Sequence, residues 1–286
     1  MRAGDGRQTP IASTSTFPTK APGPGVWRLT APAYAAPHTP WVGDMKPFIV
    51  PTADRYLPAP PPALSSAQWA ADFAEVKAMG RDTSTQRTSA QTATARFYTA
   101  NTNRQYNRLM RDVAAARSLG LLETARLAAM FNTVAADAGI SVLHTKYHYL
   151  FWRPSTAIDP TSVKPTPGDG FGPVPGFSDG NPATIEQAGW RSLITTPNHP
   201  EYPAAHGTIT SAIAEVLTAF LGTNRIEVNV YGFDAAGAAG NLAAVHHFSR
   251  ANDMRAEVVN ARTWGGVHYR TSSKAGVALG RSVAKY

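Results

Sequence analysis

Three short segments carry cations and imidazoles at spacings that could serve one chemistry. In KYHYLFWRP, residues 146–154, Lys146 and Arg153 stand seven apart. On a helix that is about two turns, so both cations point from one face. A solvated basic stripe would explain them in a polar segment. Here Tyr147, Tyr149, Leu150, Phe151 and Trp152 surround them, which argues for burial, and buried cations require an anion. In YPAAHGTIT, residues 202–210, a helix opens behind a proline. Its free N–H groups and positive dipole end favour an anion. His206 in the first turn would exchange a proton beside that anion; capping or packing is the ordinary alternative. In NARTWGGVHYRTS, Arg262 and His268 are six apart. One continuous helix would set them about 120° apart. A break at Gly265-Gly266 lets Arg262 end one helix and His268 enter from the turn, so that both reach one point. A plain interhelical turn explains the glycines equally well.

Two further histidine patterns are weaker. His144 and His148 are four apart on a predicted helix, a spacing that can clamp a metal, but Thr145 stands where a zinc signature would have glutamate. His246 and His247 are adjacent, and neighbours on a helix diverge by about 100°.

The elements that must position these residues are helical. The SSAQWAADFAEVKAMG segment sets Trp69, Phe73 and Val76 at spacings of four and three and closes on Gly80, the pattern of an amphipathic helix with a stop. Residues 89–101 and 105–120 read likewise, and 121–152 reads as one long helix, with Pro154 ending the region. Helical sequence returns at 184–192, at 204–222, around 234–264 and at 271–285, while RIEVNVYGF (225–233) fits a short strand or a loop. Residues 159–183 form a loop dense in proline and glycine. Residues 1–62 are rich in Pro, Gly, Ser and Thr and cannot sustain a helix. With Trp27, Tyr34 and Trp41 they read as an extended arm pinned on a folded body, a floppy tail being the alternative. The expected organisation is therefore an arm over 1–62 and an all-α helical bundle over 63–286.

Composition narrows the function classes. The chain has 286 residues, 43% of them hydrophobic, enough for a sizeable core. It contains no cysteine, which excludes disulfides, thiolate catalysis, iron–sulfur clusters and cysteine-type zinc sites. The formal charge of +8 suits an anionic ligand. The basic residues are scattered rather than clustered with aromatics, so no nucleic acid is expected. No stretch of about 18 apolar residues is apparent, so no membrane span is expected. The N-terminus lacks the apolar core of a signal peptide. The compartment stays unassigned: a soluble protein, with secretion through a targeting segment outside this chain among the options. An aromatic-bearing arm could wrap a partner subunit, which makes a homo-oligomer one expectation.

Taken in order, Lys146…Arg153-Pro154, Pro203-Ala-Ala-His206 and Arg262…His268 resemble the signature of the vanadium-dependent haloperoxidases and type 2 phosphatidic acid phosphatases (K-x6-R-P, P-S-G-H, R-x5-H). The neighbouring text resembles the soluble haloperoxidase-like branch, in which further helices normally precede a segment like RAGDGR; those first helices are expected to be absent here. The resemblance implies a helical bundle around one oxyanion site that holds vanadate, or phosphate in the same place. Lys146, Arg153, Arg262 and the Ala205 amide would bind the oxygens. His268 would ligate the vanadium, or attack phosphorus, and His206 would be the acid–base group. His199 is a candidate in the proton relay, with a locally bonded loop histidine as the alternative. Hydrogen peroxide and halide are the implied substrates; a phosphomonoester is the runner-up, and a non-catalytic anion-binding relative the third reading. Three departures bear on this. Ala204 replaces the family serine and Ala205 the family glycine. Ser272 stands where the phosphatase signature has an aspartate that orients the second histidine, a part for which Asp159, Asp169 or Asp179 is then the candidate.

Overall fold

In a computed structural model the fold is described for residues 20–162, 178–232 and 244–286. The described helices are α1 (Ala67–Met79), α2 (Ser89–Phe97), α3 (Thr102–Ala116), α4 (Leu121–Tyr149), α5 (Pro154–Ile158), α6 (Ala205–Leu221), α7 (Ala251–Trp264) and α8 (Arg270–Lys285). The two strands are β1 (Arg225–Tyr231) and β2 (Val245–Arg250), paired antiparallel. The molecule is a helical bundle, as the periodicity predicts.

Helix ends follow local chemistry. The Ser66 hydroxyl accepts from the Trp69 amide, and Thr88 with Gln91 forms a reciprocal capping box. Asn101 caps α3 through two amides. The core helix α4 buries Leu127, Phe131, Val134, Ala138, Ile140 and Val142 against α6, α8 and α3. It is the one described helix long and apolar enough to cross a bilayer by length and composition, although it holds no unbroken run of 18 apolar residues. In this fold it runs through the core and carries buried Asp137 and Lys146.

The long helix is shorter than predicted. It ends at Tyr149, Leu150 turns left-handed (φ 54°), and Arg153 becomes the residue before α5 with extended backbone. Proline at 154 disfavours the helical region for the residue before it. Lys146 and Arg153 therefore do not share a helix face. Residues 184–192 are not helical either. Their amides and carbonyls bond to distant segments: Gln187 N–H to Ile158, and the Arg191 carbonyl from Asp82 N–H. Nine residues with Gly189 within them gain less from a helix than from these contacts. Of the 234–264 region, 233–243 lies outside the described residues, 245–250 is strand and only 251–264 is helix. His246 and His247 accordingly alternate across β2, and His246 stacks on Phe97 at 3.8 Å.

Residues 20–62 contain one short 3-10 helix, Pro40–Asp44, and pass along α4. Trp27 is buried against Tyr147, and its N–H donates to the Leu150 carbonyl at 2.7 Å. His38 N–H donates to the Asn198 carbonyl at 2.8 Å, and the Tyr147 hydroxyl to the His38 carbonyl at 3.0 Å. The firmest tie is Asp137, whose carboxylate accepts from the successive amides of Phe48, Ile49 and Val50.

A second, aromatic cluster lies behind the ends of α4 and α1. Trp69 stacks on Trp152 at 5.8 Å and meets Tyr269 edge-on at 4.8 Å. The α7–α8 turn docks on the end of α1: Gly266 takes φ +75°, and a side chain there would strike the Gly80 carbonyl, so the turn requires glycine twice over. Arg270 then clamps both Glu75 oxygens through Nε and one terminal nitrogen, and its other terminal nitrogen donates to Asn260, fixing the start of α8 to α1.

Replacing Asp137 by alanine leaves three backbone donors without their charged acceptor. We expect a loss of about 2–3 kcal/mol in urea unfolding, with Asp137→Asn recovering part of it.

Candidate oxyanion site

The predicted site residues come from four separate parts of the chain. Lys146 is on the last turn of α4, fully buried, with Nζ donating to the carbonyls of Pro200 and Glu201 at 2.9 Å each. An ammonium has three donors, so one remains. Arg153, also fully buried, donates through Nε to the His199 carbonyl at 2.9 Å and through one terminal nitrogen to the Val267 carbonyl at 2.8 Å. That nitrogen also lies 3.3 Å from His268 Nε2, and the other terminal nitrogen lies 2.9 Å from His199 Nδ1. Arg262, on the last turn of α7, donates to the Tyr98 carbonyl at 2.9 Å, while its buried Nε has no protein partner.

His206 is the second residue of α6, which Ala204 opens without a side-chain cap. The first N–H groups of that helix, those of Ala205 and His206, have no intrahelical acceptor by geometry. His206 Nε2 is buried and has no protein partner. His268 sits in the turn between α7 and α8, as the glycine pair suggests.

The residue the sequence reading missed is Glu201. It is fully buried; its Oε1 accepts from His268 Nδ1 at 2.8 Å and from the Tyr269 amide at 3.0 Å. With Nδ1 donating, the lone pair of His268 is on Nε2. Glu201 thus takes the place assigned to Asp159, Asp169 or Asp179. Asp159 accepts instead from Thr161 and the Gly189 amide, Asp179 accepts from Trp69 Nε1 and Thr184, and Asp169 lies outside the described residues. Ser272 lies against the Glu201 backbone, its hydroxyl 3.5 Å from that carbonyl. A glutamate between two prolines, five residues before His206, was the available signal.

The electrostatics follow from burial. Desolvation lowers Lys146 well below 10.5, helped by Arg153 and Arg262 and opposed by Glu201. Desolvation lowers Arg153 to about 10 and Arg262 to about 9; both guanidinium groups stay charged at neutral pH, and the direction records the cost of keeping them from water. The same burial raises Glu201 to about 7 against the pull of Lys146 and Arg153. His199, His206 and His268 are held well below 6.5 by burial first; the cations add to it, Lys146 most for His199, Arg262 for His206 and Arg153 for His268. All three imidazoles are therefore neutral at pH 7.

This arrangement suits a multiply charged oxyanion. Three buried cations face one carboxylate, and Arg262 Nε and His206 Nε2 lack partners. Among the described residues no group of three or more His, Asp or Glu is placed to hold a metal cation. His144 and His148 do not make one: His144 Nδ1 lies 3.2 Å from the Gly43 carbonyl, and the two rings are 6.5 Å apart.

The VCPO second helical-bundle domain, as a family profile, matches residues 126–286. Vanadium chloroperoxidase of Curvularia inaequalis is 26% identical over 203 residues, covering 63% of this chain and 32% of that protein. Among solved structures, a bacterial vanadium-dependent iodoperoxidase superposes with a TM-score of 0.73 at 24% identity, over 95% of this chain and 61% of its own. A holo-type bacterial vanadium-dependent chloroperoxidase gives 0.63 at 18%, over 98% and 65%. These two are likenesses of fold. The chain spans about a third of the curated relative and less than two thirds of each solved structure. With the second helical-bundle domain accounting for more than half of its residues, the chain belongs to the vanadium haloperoxidase family.

Proposed function

We propose that the protein is a vanadate-dependent haloperoxidase that oxidises halide with hydrogen peroxide. The observation that carries this reading is the cluster of three buried, under-neutralised cations around an imidazole whose lone pair is held ready by Glu201. When bound, vanadate supplies the Lewis acidity that activates hydrogen peroxide toward halide. The remaining work belongs to the chain. Lys146, Arg153 and Arg262 would neutralise the oxygens, Arg262 in forked fashion through the edge that carries its unpartnered Nε. The Ala205 amide at the mouth of α6 would add a neutral donor. His268 would offer Nε2 to the central atom, and Glu201 would fix that tautomer through Nδ1. His206, neutral at rest, would take a proton from peroxide at Nε2 and return it to the departing oxygen. His199 would hold Arg153 in place and border the proton path.

A phosphomonoesterase is the second reading, and Glu201 is the observation in its favour, because a carboxylate behind His268 is what a histidine nucleophile needs. His268 Nε2 would then attack phosphorus as the P–O bond to the alcohol breaks, and His206, having first taken a proton from solvent water at Nε2, would pass it to the leaving oxygen. Assay of bromide oxidation by peroxide, with and without vanadate, beside hydrolysis of p-nitrophenyl phosphate, separates the readings. We expect oxidation that depends on vanadate and falls by about a hundredfold or more in His206→Ala. Hydrolysis inhibited by vanadate would replace the first reading by the second. Oxyanion binding with neither activity would leave a non-catalytic relative.

Glu201 also sets a pH dependence. Its carboxyl, raised to about 7, is neutral below that pH and repels an anion above it. Sulfate keeps its charge between about pH 5.5 and 8.5 and isolates the effect. Calorimetry should show sulfate affinity falling about tenfold as pH rises through 7, and Glu201→Gln should flatten the profile.

Ala204 leaves α6 uncapped. A serine hydroxyl there could accept from the first turn and donate to the oxyanion at once. Ala204→Ser is expected to raise unfolding stability by about 1 kcal/mol and to tighten vanadate binding about tenfold in fluorescence titration.

A further inference from the structure

A cavity of about 610 Å3 opens between the 38–48 segment, α3, α4 and the start of α6, and its floor is formed by His199 and Ala205. Both floor residues belong to the oxyanion site: His199 meets Arg153 at 2.9 Å, and Ala205 opens α6. The size falls within the range of small-molecule sites. The walls are apolar, chiefly Met45, Phe131, Ile140, Leu143, Ile209 and Ile213. The polar groups are amides, hydroxyls and the imidazoles of His38 and His199, with Asn103, Asn107 and Asn132 at one side and Asn107 Nδ2 reaching Asn132 at 3.4 Å. No Asp, Glu, Lys or Arg is among its described lining residues, in contrast to the cationic site behind its floor.

Gly139 gives the cavity its significance. It lies deep in the 29-residue α4, where glycine weakens a helix relative to alanine. Its backbone is not left-handed, and a methyl group added to it would meet nothing within 4 Å. Gly43 differs, since a side chain there would strike the backbone of His144. Neither conformation nor packing asks for glycine at 139; the cavity, which Gly139 lines together with Ala135 and Ala136 of the same helix face, does.

We propose that this cavity binds a neutral, largely apolar organic molecule, the halogen acceptor of the reaction proposed above, and that Gly139 keeps room for it. The inference rests on that reading for the acceptor's role and on the cavity alone for its binding. An electron-rich carbon held there would attack the halogen of hypohalous acid. The carbon–halogen bond forms as the oxygen–halogen bond breaks, and the hydroxide released takes the carbon's proton as water. Lack of a charged partner in the walls disfavours a charged acceptor, which would be desolvated without compensation.

The probe is thymol, a neutral phenol, titrated into the full chain by calorimetry and ligand-observed NMR. Gly139→Phe should weaken thymol binding about tenfold or more and leave sulfate affinity unchanged. Gly139→Ala should raise the melting temperature, because a mid-helix glycine is removed without a clash, and should weaken thymol less. Binding of thymol equal in wild type and Gly139→Phe, or none in wild type, would overturn the proposal. So would a dimer seen by light scattering that Gly139→Phe dissociates, which would make the cavity a contact between copies. Thymol binding displaced by Gly139→Phe in a protein that oxidises no halide would leave the site standing and remove the enzymatic reading alone.

Discussion

Three cations lie where water does not reach, and a single carboxylate lies among them. Charge is not balanced by charge, so dipoles are recruited. The carbonyls of His199, Pro200 and Glu201, three in succession, turn toward Arg153 and Lys146, and those of Val267 and Tyr98 turn toward Arg153 and Arg262. A loop can aim consecutive carbonyls one way only if its N–H groups are satisfied elsewhere. Prolines at 197, 200 and 203 lighten that demand by having none. Two of the remaining amides find partners outside the site: His199 N–H bonds the Pro197 carbonyl and Glu201 N–H the Phe151 carbonyl. The dense proline content before α6 is thus the price of an inward-facing row of oxygens.

The same constraint explains how much could be read in advance. Lys146, Arg153, His206, Arg262 and His268 were legible because each sits in a short pattern whose neighbours are apolar or turn-forming, and burial of a cation is a strong inference from such neighbours. Most helices were legible from periodicity or composition, since α1, α3 and α8 each bury one face while α6 is buried on most sides. Residues 184–192 misled, because their hydrogen bonds go to residues as distant as Ile158 and Asp82, and no local pattern reports those. β2 misled for a similar reason, its conformation being set by pairing with β1. Arg153 reached the site by a route other than the one its spacing suggested, through a left-handed Leu150 and a proline-terminated turn.

Glu201 shows the limit from the other side. The phosphatase signature places an orienting aspartate after the second histidine, and here Ser272 occupies that position. The fold delivers the carboxylate from the opposite flank, between Pro200 and Tyr202, onto the same imidazole nitrogen. The imidazole meets a carboxylate although the sequence position differs, because an acceptor at Nδ1 can be brought by any part of the chain.

The path of residues 20–50 has a mechanical meaning. The segment is fastened to α4 at Trp27 and Asp137, and it hydrogen-bonds the His199-bearing loop where His38 meets Asn198. His38, Thr39 and Val42 also wall the cavity above that loop. One stretch of irregular chain is therefore both a buttress for the His199-bearing loop and a wall of the cavity in front of it, so any loosening of its moorings would slacken that loop and reshape the cavity in a single motion.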